Sequence, residues 1–189
     1  VTAVVGYDHR AHSSFSLSSK QFAIYTKLVF ESKGISCTLL DGYVATPILA
    51  FAVGHIGASV GIMVTASHNP KQDDGYKVYW NDGCQIRPPV DAGIANAIVE
   101  RDNLVPWMDY GEKLIAMKRE NGEAECYGLS SPDQTRMIEE AYYQSIRDSG
   151  LVVKLDTATT SDVQVPSFAY TAMHGVGYPY AKRSFSTFG

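Results

Sequence analysis

A long uncharged stretch constrains this chain more than any other feature of its sequence. From Gly42 to Pro70 there is no Asp, Glu, Lys or Arg. The stretch is long enough to span a bilayer, but Pro47, His55, four glycines and several hydroxyl side chains interrupt it. A buried helix over TPILAFAVGHIGA and a buried strand over VGIMV explain it better.

Strand-like and helix-like segments alternate from the start of the chain to this stretch. TAVVGY and ISCTLLDG are short, apolar and β-branched, as strands are. Between them, SSFSLSSKQFAIYTKLVFESKG has apolar residues at helical spacing, serines that could cap its start, and Gly34 at its end. The next predicted helix begins with Thr46 as N-cap and Pro47 at its first helical position.

The remaining segments extend the alternation. GYKVYW and GCQI predict a hairpin whose turn is NDG at 81–83. Helices are predicted over PVDAGIANAIVERD and PDQTRMIEEAYYQSIRDSG, and residues 103–131 between them show no clear pattern. VQVPSFAYTA is predicted as a strand, HGVG as a turn and YPYAKRSFSTFG as the first part of a helix.

Such an order predicts an α/β fold with a mixed, mostly parallel sheet layered between helices and an antiparallel hairpin at one edge. Ligands of these sheets collect at the carboxyl ends of the strands. Two predicted strand ends carry polar residues, GYDHRAH at 6–12 and TASHNP at 65–70. We expect the two segments to face one cleft.

Composition excludes several classes of protein. The 189 residues are 45% hydrophobic and 19% charged, with a formal net charge of -4, which is typical of a soluble globular protein. With no basic cluster, neither nucleic acid nor an anionic membrane surface is expected as a partner. Cys37, Cys84 and Cys126 are far apart and odd in number, and no signal peptide is evident, so we expect a cytoplasmic protein.

The loop TASHNPKQDDGYKVYW raises the question of what Ser67 does. A hydrolase nucleophile would want a G-x-S-x-G turn, which is absent here. His68 is the next residue, and adjacent side chains of an extended segment point to opposite sides. A Ser-His-Asp hydrolase is therefore not expected. Phosphoryl transfer needs cations and amide donors instead, which Asn69, Lys71, Lys77 and the loop backbone could supply in part.

These residues resemble a known family. TASHNP is similar to the phosphoserine loop of the α-D-phosphohexomutases, the phosphoglucomutase and phosphomannomutase superfamily. The longer string through NDGCQI resembles the branch that holds phosphopentomutase, phosphoglucomutase and glucose-1,6-bisphosphate synthase. The resemblance extends to GYDHRAHSS at 6–14, TPILAF at 46–51 and FAYTAMHGVG at 168–177. It implies a fold like domain 1 of phosphoglucomutase.

The resemblance also implies roles for single residues. Ser67 matches the phosphorylated nucleophile and Lys77 the general acid/base beside it. His68 and Asn69 match residues that hold the phosphoserine. Arg10 and Lys71 are expected to bind phosphate, with His12 near the cleft. Magnesium would bind Ser67 through its phosphate, and glucose 1,6-bisphosphate would prime the reaction.

Several polar residues also have a non-catalytic interpretation. Ser67 could be an ordinary turn residue and Lys77 a solvated charge on a strand. Arg10 could be a surface ion-pair partner, and His174 in HGVG fits a turn better than a site. Asp156 and Asp162 lie in a Thr/Ser-rich setting that indicates a solvated linker rather than a metal site.

The sequence departs from the family pattern in two ways. Asp74-Gly75 stands where the family commonly has Asn-Gly, so a carboxylate would repel the phosphate unless Lys71 or Lys77 offsets it. The second departure is that the family's DGDADR-type metal loop, its GEES-type sugar loop, its late phosphate-binding loop and its early glycine-arginine segment have no match here. We therefore expect domain 1, without its N-terminal segment, over 1–165, and the beginning of a second, similar domain over 166–189.

The resulting prediction is a fragment of a phosphosugar mutase. It would move phosphate between the 1- and 6-positions of glucose or the 1- and 5-positions of ribose, through a phosphoserine and a bisphosphate. A sugar phosphate is the expected partner, and the chain alone is expected to be inactive. A glucose-1,6-bisphosphate synthase and a non-catalytic binding module are the alternatives.

Overall fold

The computed structural model describes residues 1–12, 17–100, 112, 132–152 and 167–188. Six strands and five helices lie within these residues. The strands are β1 (Thr2–Tyr7), β2 (Ala11–His12), β3 (Leu17–Ser18), β4 (Ser36–Leu39), β5 (Val60–Val64) and β6 (Tyr76–Trp80). The helices are α1 (Ser19–Ser32), α2 (Thr46–His55), α3 (Val90–Glu100), α4 (Pro132–Asp148) and α5 (Gly177–Phe188).

Four strands form the main sheet in the order β4-β1-β5-β6. β1 is parallel to β4 and to β5, whereas β6 runs antiparallel to β5 at the edge. β2 and β3 form a separate two-stranded antiparallel sheet. The predicted α/β fold with a mixed, mostly parallel sheet is confirmed. Since β1, β4 and β5 are parallel, the chain segments that follow them leave the same edge of the sheet.

The two faces of the sheet are covered by different helices. Alternate residues of β1 point to opposite sides: Val5 and Tyr7 are buried beneath α1, and Val4 is buried beneath α2. Burying a side chain such as valine stabilises the fold by about 1.5–3 kcal/mol. A Cβ at Gly61 would lie 2.4 Å from Val53 Cγ2, so glycine is what lets α2 approach β5 closely.

The two later helices pack outside α2. Phe51 of α2 meets Tyr142 of α4 in an edge-on ring contact of 5.5 Å between centroids. The Tyr143 hydroxyl donates to the Tyr180 carbonyl of α5 at 2.9 Å, and the Arg183 guanidinium lies 4.4 Å from the Tyr143 ring centre. No helix in the described part of the chain has both the length and the apolar character that crossing a bilayer requires.

Most predicted element boundaries are confirmed, with one correction at α2. Ser18 caps α1, since its side chain accepts from Gln21 N at 3.2 Å. Ala45, not Thr46, is the N-cap of α2, and no side chain caps it. The Ala45 carbonyl already accepts from Ile48 N at 2.9 Å, so the helix starts one residue earlier than predicted. Thr46 therefore lies in the first turn.

The predicted hairpin forms, but its second arm is short. Gly83 N donates to the Trp80 carbonyl at 2.9 Å and closes the turn. Trp80 N donates to the Cys84 carbonyl at 2.8 Å, and Tyr79 pairs with Gln85 through a single bridge.

The strand predicted over 163–172 is wrong for the part that the structure describes. Residues 167–172 form no strand, and Phe168 lies against Phe185 of α5, with 5.2 Å between ring centroids. The predicted turn at His174 and the helix after it are confirmed. Outside the described residues lie 163–166 with the predicted domain boundary, Cys126, Asp156, Asp162 and all of 103–131 except residue 112.

Candidate active site

Residues 65–75, here called the serine loop, connect β5 to β6 at the carboxyl edge of the sheet. The loop is closed at its base, where Thr65 N donates to the Gly75 carbonyl at 2.9 Å. A Cβ at Gly75 would lie 2.2 Å from the Thr65 carbonyl oxygen. The two ends of the loop therefore approach so closely that only glycine fits at position 75.

Ser67 occupies an unusual backbone conformation in this loop. Its φ is 54°, in the left-handed region that non-glycine residues rarely adopt. Its amide donates to Thr65 Oγ1 at 3.0 Å. Conformations of this kind cost about 1–3 kcal/mol and persist where surrounding contacts hold them. The serine is exposed, so the strained turn presents its hydroxyl to solvent.

Lys77 lies directly beside that hydroxyl. It is the second residue of β6 and is paired with Met63 of β5, next to the point where the serine loop leaves the sheet. Its Nζ donates to Ser67 Oγ at 2.6 Å. The antiparallel β5-β6 pair thus brings together two residues that are ten positions apart in sequence. A cation at this distance favours negative charge on the serine oxygen or on a group attached to it.

Arg10 joins the segment after β1 to the serine loop. Nη1 donates to the carbonyls of Pro70 (2.7 Å) and Asp73 (3.0 Å). Nη2 donates to the carbonyls of Ser67 (2.8 Å) and Asn69 (2.9 Å). A guanidinium has five N–H donors, so these four bonds leave only the Nε donor. These contacts bring the segments 6–12 and 65–70 together, as expected, whereas a cleft shared by the two stays a prediction.

Asp8 accepts that remaining donor. Arg10 Nε donates to Asp8 Oδ2 at 3.1 Å, and the Ser19 hydroxyl donates to Asp8 Oδ1 at 2.5 Å. Asp8 is only 7% exposed, so its carboxylate needs these partners. All five donors of Arg10 are therefore bonded within the chain, and its geometry is that of a loop-positioning residue. Direct binding of phosphate by Arg10 stays a prediction, and it would require one of these bonds to break.

The other predicted loop residues are brought to the same place, but with fewer contacts. Asn69 Nδ2 donates to Asp73 Oδ2 at 3.2 Å, and Asn69 N donates to the Ala66 carbonyl at 3.1 Å. These bonds shape the loop rather than touch Ser67 Oγ. His68 and Lys71 are exposed at the surface of the loop. The catalytic role of His68 and the phosphate-binding roles of Asn69 and Lys71 stay predictions.

The side chain nearest to the Asp74 carboxylate is that of His12. His12 Nε2 lies 3.0 Å from Asp74 Oδ2. The alignment of the two groups does not meet that of a hydrogen bond. Lys77 is bonded to Ser67 and Lys71 is exposed. His12 is therefore the group that faces the extra carboxylate.

Sequence reasoning missed Asp8 and Ser19 because nothing local marks them. Asp8 follows a strand, as many solvated aspartates do, and Ser19 resembles any residue at a helix start. Their role depends on a contact between β1 and α1 that only the fold creates. The one available signal was that Asp8 stands two residues before Arg10, within reach of its side chain.

Binding of magnesium through a phosphate on Ser67 stays a prediction. In the described part of the chain, no three His, Cys, Asp or Glu side chains come together in a group that could hold a metal ion. The described residues therefore do not form a metal site by themselves.

Known proteins match this chain over nearly all of its length. It is 36% identical to human phosphopentomutase over 189 residues, which is 98% of this chain and 28% of that protein. It is 38% identical to phosphoribomutase of Saccharomyces cerevisiae over 94% of this chain and 27% of that one. Human glucose 1,6-bisphosphate synthase is 34% identical over 98% of this chain and 27% of its own. The chain therefore spans less than a third of the length of these relatives.

Among solved structures, a putative phosphomannomutase from Thermus thermophilus is 32% identical, with a TM-score of 0.46 over 61% of this chain and 27% of that one. The family model that describes phosphoglucomutase/phosphomannomutase, alpha/beta/alpha domain I, matches residues 2–104. That match includes β1 to β6, Arg10 and the whole serine loop. The chain belongs to the phosphoglucomutase/phosphomannomutase family, and the residues that match the family's domain I are 2–104.

Proposed function

We propose that this chain is part of a phosphosugar mutase in which Ser67 carries phosphate between two positions of a sugar. The contact that supports this most directly is the 2.6 Å hydrogen bond from Lys77 Nζ to Ser67 Oγ. A nucleophile and a proton-transfer group within hydrogen-bond reach is the arrangement that such chemistry needs. The mutases among the relatives give the substrate class.

The proposed step forms one bond and breaks one. Ser67 Oγ attacks a phosphorus atom of a sugar bisphosphate, and the P–O bond to the sugar breaks. Lys77 takes the proton of the serine hydroxyl as the Oγ–P bond forms. The sugar oxygen leaves with the bonding electron pair, and a proton released by Lys77 and relayed through water neutralises it. In the reverse direction a sugar hydroxyl attacks the phosphorus on Ser67 and gives up its proton, and Lys77 returns a proton to Oγ as the Oγ–P bond breaks. When the attacking hydroxyl is at the other end of the sugar, the phosphate arrives at the new position.

The loop backbone supports the proposal by holding Ser67 in place. Its amide is bonded to Thr65 and its carbonyl to Arg10, on either side of the left-handed residue. A fixed nucleophile needs no reorganisation during reaction, and positioning of this kind lowers a barrier substantially. Magnesium and a glucose 1,6-bisphosphate primer belong to the same proposal. When bound, the ion would supply Lewis-acid stabilisation of the phosphate.

Phosphate gain by the chain tests the proposal. The purified protein is incubated with glucose 1,6-bisphosphate and Mg²⁺, and its intact mass is measured. We expect a gain of one phosphate that is absent in Ser67→Ala. Ser36→Ala is the matched control, because Ser36 is an exposed serine at the start of β4, away from the serine loop. A gain that survives Ser67→Ala, or no gain by a folded chain, would contradict the proposal.

A glucose-1,6-bisphosphate synthase is the second candidate, favoured by the relatives with that name. It would load Ser67 from a donor other than the sugar product. Loading of Ser67 by a non-sugar phosphate donor, followed by transfer to glucose 1-phosphate, would select this candidate. Loading by the sugar bisphosphate alone would select the mutase. A chain that binds sugar phosphates but gains phosphate from neither donor would be a binding module.

Complete turnover is proposed to require more than this chain. The described residues include the serine loop but no group of three His, Cys, Asp or Glu side chains that could hold a metal ion, and the chain covers 28% of human phosphopentomutase. We expect no interconversion of glucose 1-phosphate and glucose 6-phosphate, or of the ribose pair, when bisphosphate and Mg²⁺ are supplied. Turnover at the rate of a full-length mutase would contradict this. A cytoplasmic location belongs to the same proposal, and cell fractionation tests it.

A further inference from the structure

Three chain segments lie side by side at the carboxyl edge of the sheet: the β4–α2 loop (40–45), the segment after β1 and the serine loop. Backbone pairing continues to this edge. Val44 N donates to the Tyr7 carbonyl at 3.1 Å, and Asp8 N donates to the Val64 carbonyl at 3.1 Å on the other side. Neighbouring strands are about 4.8 Å apart, so the β4–α2 loop and the start of the serine loop are about 10 Å apart.

The segment after β1 contacts the loops on both of its sides. Arg10 Nη2 donates to the Ser67 carbonyl at 2.8 Å. The ring of His9, the preceding residue, meets that of Tyr43 in the β4–α2 loop, with 5.7 Å between centroids. Contacts therefore link Ser67 to Tyr43 across this edge of the sheet, and both residues are open to solvent.

The backbone around Tyr43 is held by contacts with two later helices. Asp41 N donates to Thr135 Oγ1 of α4 at 2.9 Å. The Tyr180 hydroxyl of α5 lies 3.2 Å from the Tyr43 carbonyl oxygen, within hydrogen-bond reach. The Tyr43 ring packs edge-on against Tyr7 of β1, with 5.9 Å between centroids. A tyrosine has few rotatable bonds, so on a fixed backbone it loses little conformational entropy when it binds a ligand.

Much of Tyr43 is nonetheless open to a ligand. The residue is 56% exposed, and its hydroxyl has no hydrogen-bond partner among the residues that the structure describes. Tyrosine combines an apolar ring with a polar end. A sugar likewise presents C–H groups on its ring face and hydroxyls at its rim, so the two are chemically complementary.

We propose that Tyr43 binds the sugar of the substrate, with its ring against the C–H face and its hydroxyl bonded to a sugar hydroxyl. The inference rests on the proposed function for the nature of the substrate. A sugar whose phosphate lies at Ser67 extends across the segment after β1 toward Tyr43. Contacts with such a non-reacting part of a substrate supply binding energy that the phosphate alone does not. His9 lines the same surface.

NMR of the chain, labelled with ¹³C in its tyrosines and with ¹⁵N throughout, tests this contact without any reaction. Glucose 1-phosphate and inorganic phosphate are titrated in turn, and the Tyr43 ring signal is assigned by its loss in Tyr43→Phe. We expect glucose 1-phosphate to move the Tyr43 ring signal and inorganic phosphate to leave it in place. The Lys77 amide signal should move with both. A Tyr43 signal that glucose 1-phosphate leaves unmoved overturns the proposal.

Substitutions separate a sugar contact from a structural role. Tyr43→Ala should raise the Kd for glucose 1-phosphate about tenfold and leave the Kd for inorganic phosphate unchanged. Tyr43→Phe keeps the ring and loses one hydrogen bond, so it should weaken sugar binding only about threefold. Tyr178→Ala is the matched control, because Tyr178 is 58% exposed and, two positions before Tyr180 on α5, does not share its face of the helix. It should change neither Kd.

Equal weakening of both ligands by Tyr43→Ala, or an equal effect of Tyr178→Ala, also overturns the proposal. Should Tyr43→Ala unfold because Tyr7 is uncovered, Tyr43→Leu decides in its place, since leucine still covers Tyr7 but has no flat ring. Phosphate gain at Ser67 is measured separately. Gain without movement of the Tyr43 signal rejects the sugar contact and leaves the proposed function standing. Movement without gain supports the sugar contact and rejects the proposed function.

Discussion

Two arginines hold two polar turns in this chain, and they do so in different ways. Arg10 bonds four carbonyls of the serine loop, at residues 57–63 positions away, and its side chain is 11% exposed. Arg87 contacts Asp82, five positions away in the hairpin turn, and its side chain is 66% exposed. Both turns contain an Asp-Gly pair and both follow a strand.

The difference shows why the serine loop, and not the hairpin turn, can hold a strained residue. A local ion pair in solvent competes with water and contributes little. Arg10 is largely shielded from solvent and is paired with the buried Asp8, so it meets less of this competition, and its donors fix several carbonyls in one geometry at once. Ser67 adopts a φ of 54° next to one of those carbonyls. The backbone conformation of Ser67 therefore depends on tertiary structure.

Of all the substitutions considered, Arg10→Ala should lower stability the most, and Arg87→Ala is its control. Arg10→Ala leaves Asp8 buried without its cation and frees four loop carbonyls, so the free energy of unfolding should fall by about 3–5 kcal/mol. Arg87→Ala should leave it unchanged within error, because the pair is fully solvated. Urea denaturation measures both. Equal losses in the two variants would remove the distinction between the turns.

Replacing Lys77 tests whether this residue transfers the proton of Ser67. Lys77→Met keeps much of the side-chain volume but removes the proton-transfer group, so the rate of phosphate gain at Ser67 should fall about 100-fold or more. Lys33→Met, at the exposed end of α1, is the control and should leave the rate unchanged. Quenched time points and intact mass give the rates. A Lys77→Met chain as fast as the unaltered one would refute the assigned role.

The base of the serine loop can be tested with one methyl group. Gly75→Ala places a Cβ against the Thr65 carbonyl, and the overpacking should lower the free energy of unfolding by about 2–3 kcal/mol. Gly54→Ala, inside α2 with open space around the position, should instead stabilise the fold by about 0.5–1 kcal/mol. Opposite signs in thermal or urea unfolding are the expected result. Two changes of the same sign would contradict the close approach.

A buried and an exposed cysteine should affect the pH dependence of stability differently. Burial raises the pKa of Cys37, in β4, to about 12, whereas Cys84 lies exposed in the hairpin turn. Since the unfolded thiol loses its proton at lower pH than the folded one, stability is lost as pH rises through the unfolded value. The free energy of unfolding should fall by about 1 kcal/mol between pH 8 and pH 9.5. Burial also raises the pKa of Tyr7, to about 12, which steepens the fall at higher pH.

The two thiols can be separated by substitution. Cys37→Ala should reduce the alkaline slope of the unfolding free energy, and Cys84→Ala should leave the slope as it was. Urea midpoints at several pH values supply the data. A slope that is insensitive to Cys37→Ala would show that other groups cause it.

Sequence periodicity predicted correctly those helices and strands that are recognisable from the residue pattern of one segment. The helical spacing and the serines before α1 were sufficient for that helix, and the apolar run VGIMV was sufficient for β5. The strand over 163–172 was wrong for residues 167–172, because a strand needs a partner edge and Phe168 packs against α5 instead. Pairing of this kind cannot be read from a single segment.

In the candidate site, too, some contacts were predictable from the sequence and others were not. Ser67 and Lys77 are near in sequence and lie on paired strands, so their contact was predictable from the motif. The partnership of Arg10 with Asp8 and Ser19 was not, because it requires β1 and α1 to be folded together. The contact of His12 with Asp74 likewise depends on tertiary structure, because the two residues are far apart in sequence.

The proposed function requires above all that phosphate moves reversibly on and off Ser67, and a label chase measures this movement. The chain is loaded from ³²P-labelled glucose 1,6-bisphosphate, separated from the donor, and mixed with unlabelled glucose 1-phosphate and Mg²⁺. We predict that the label leaves Ser67 and is recovered in glucose bisphosphate, at a rate that depends on the acceptor. Label that stays on the protein, or that appears as inorganic phosphate equally fast without acceptor, would contradict the account.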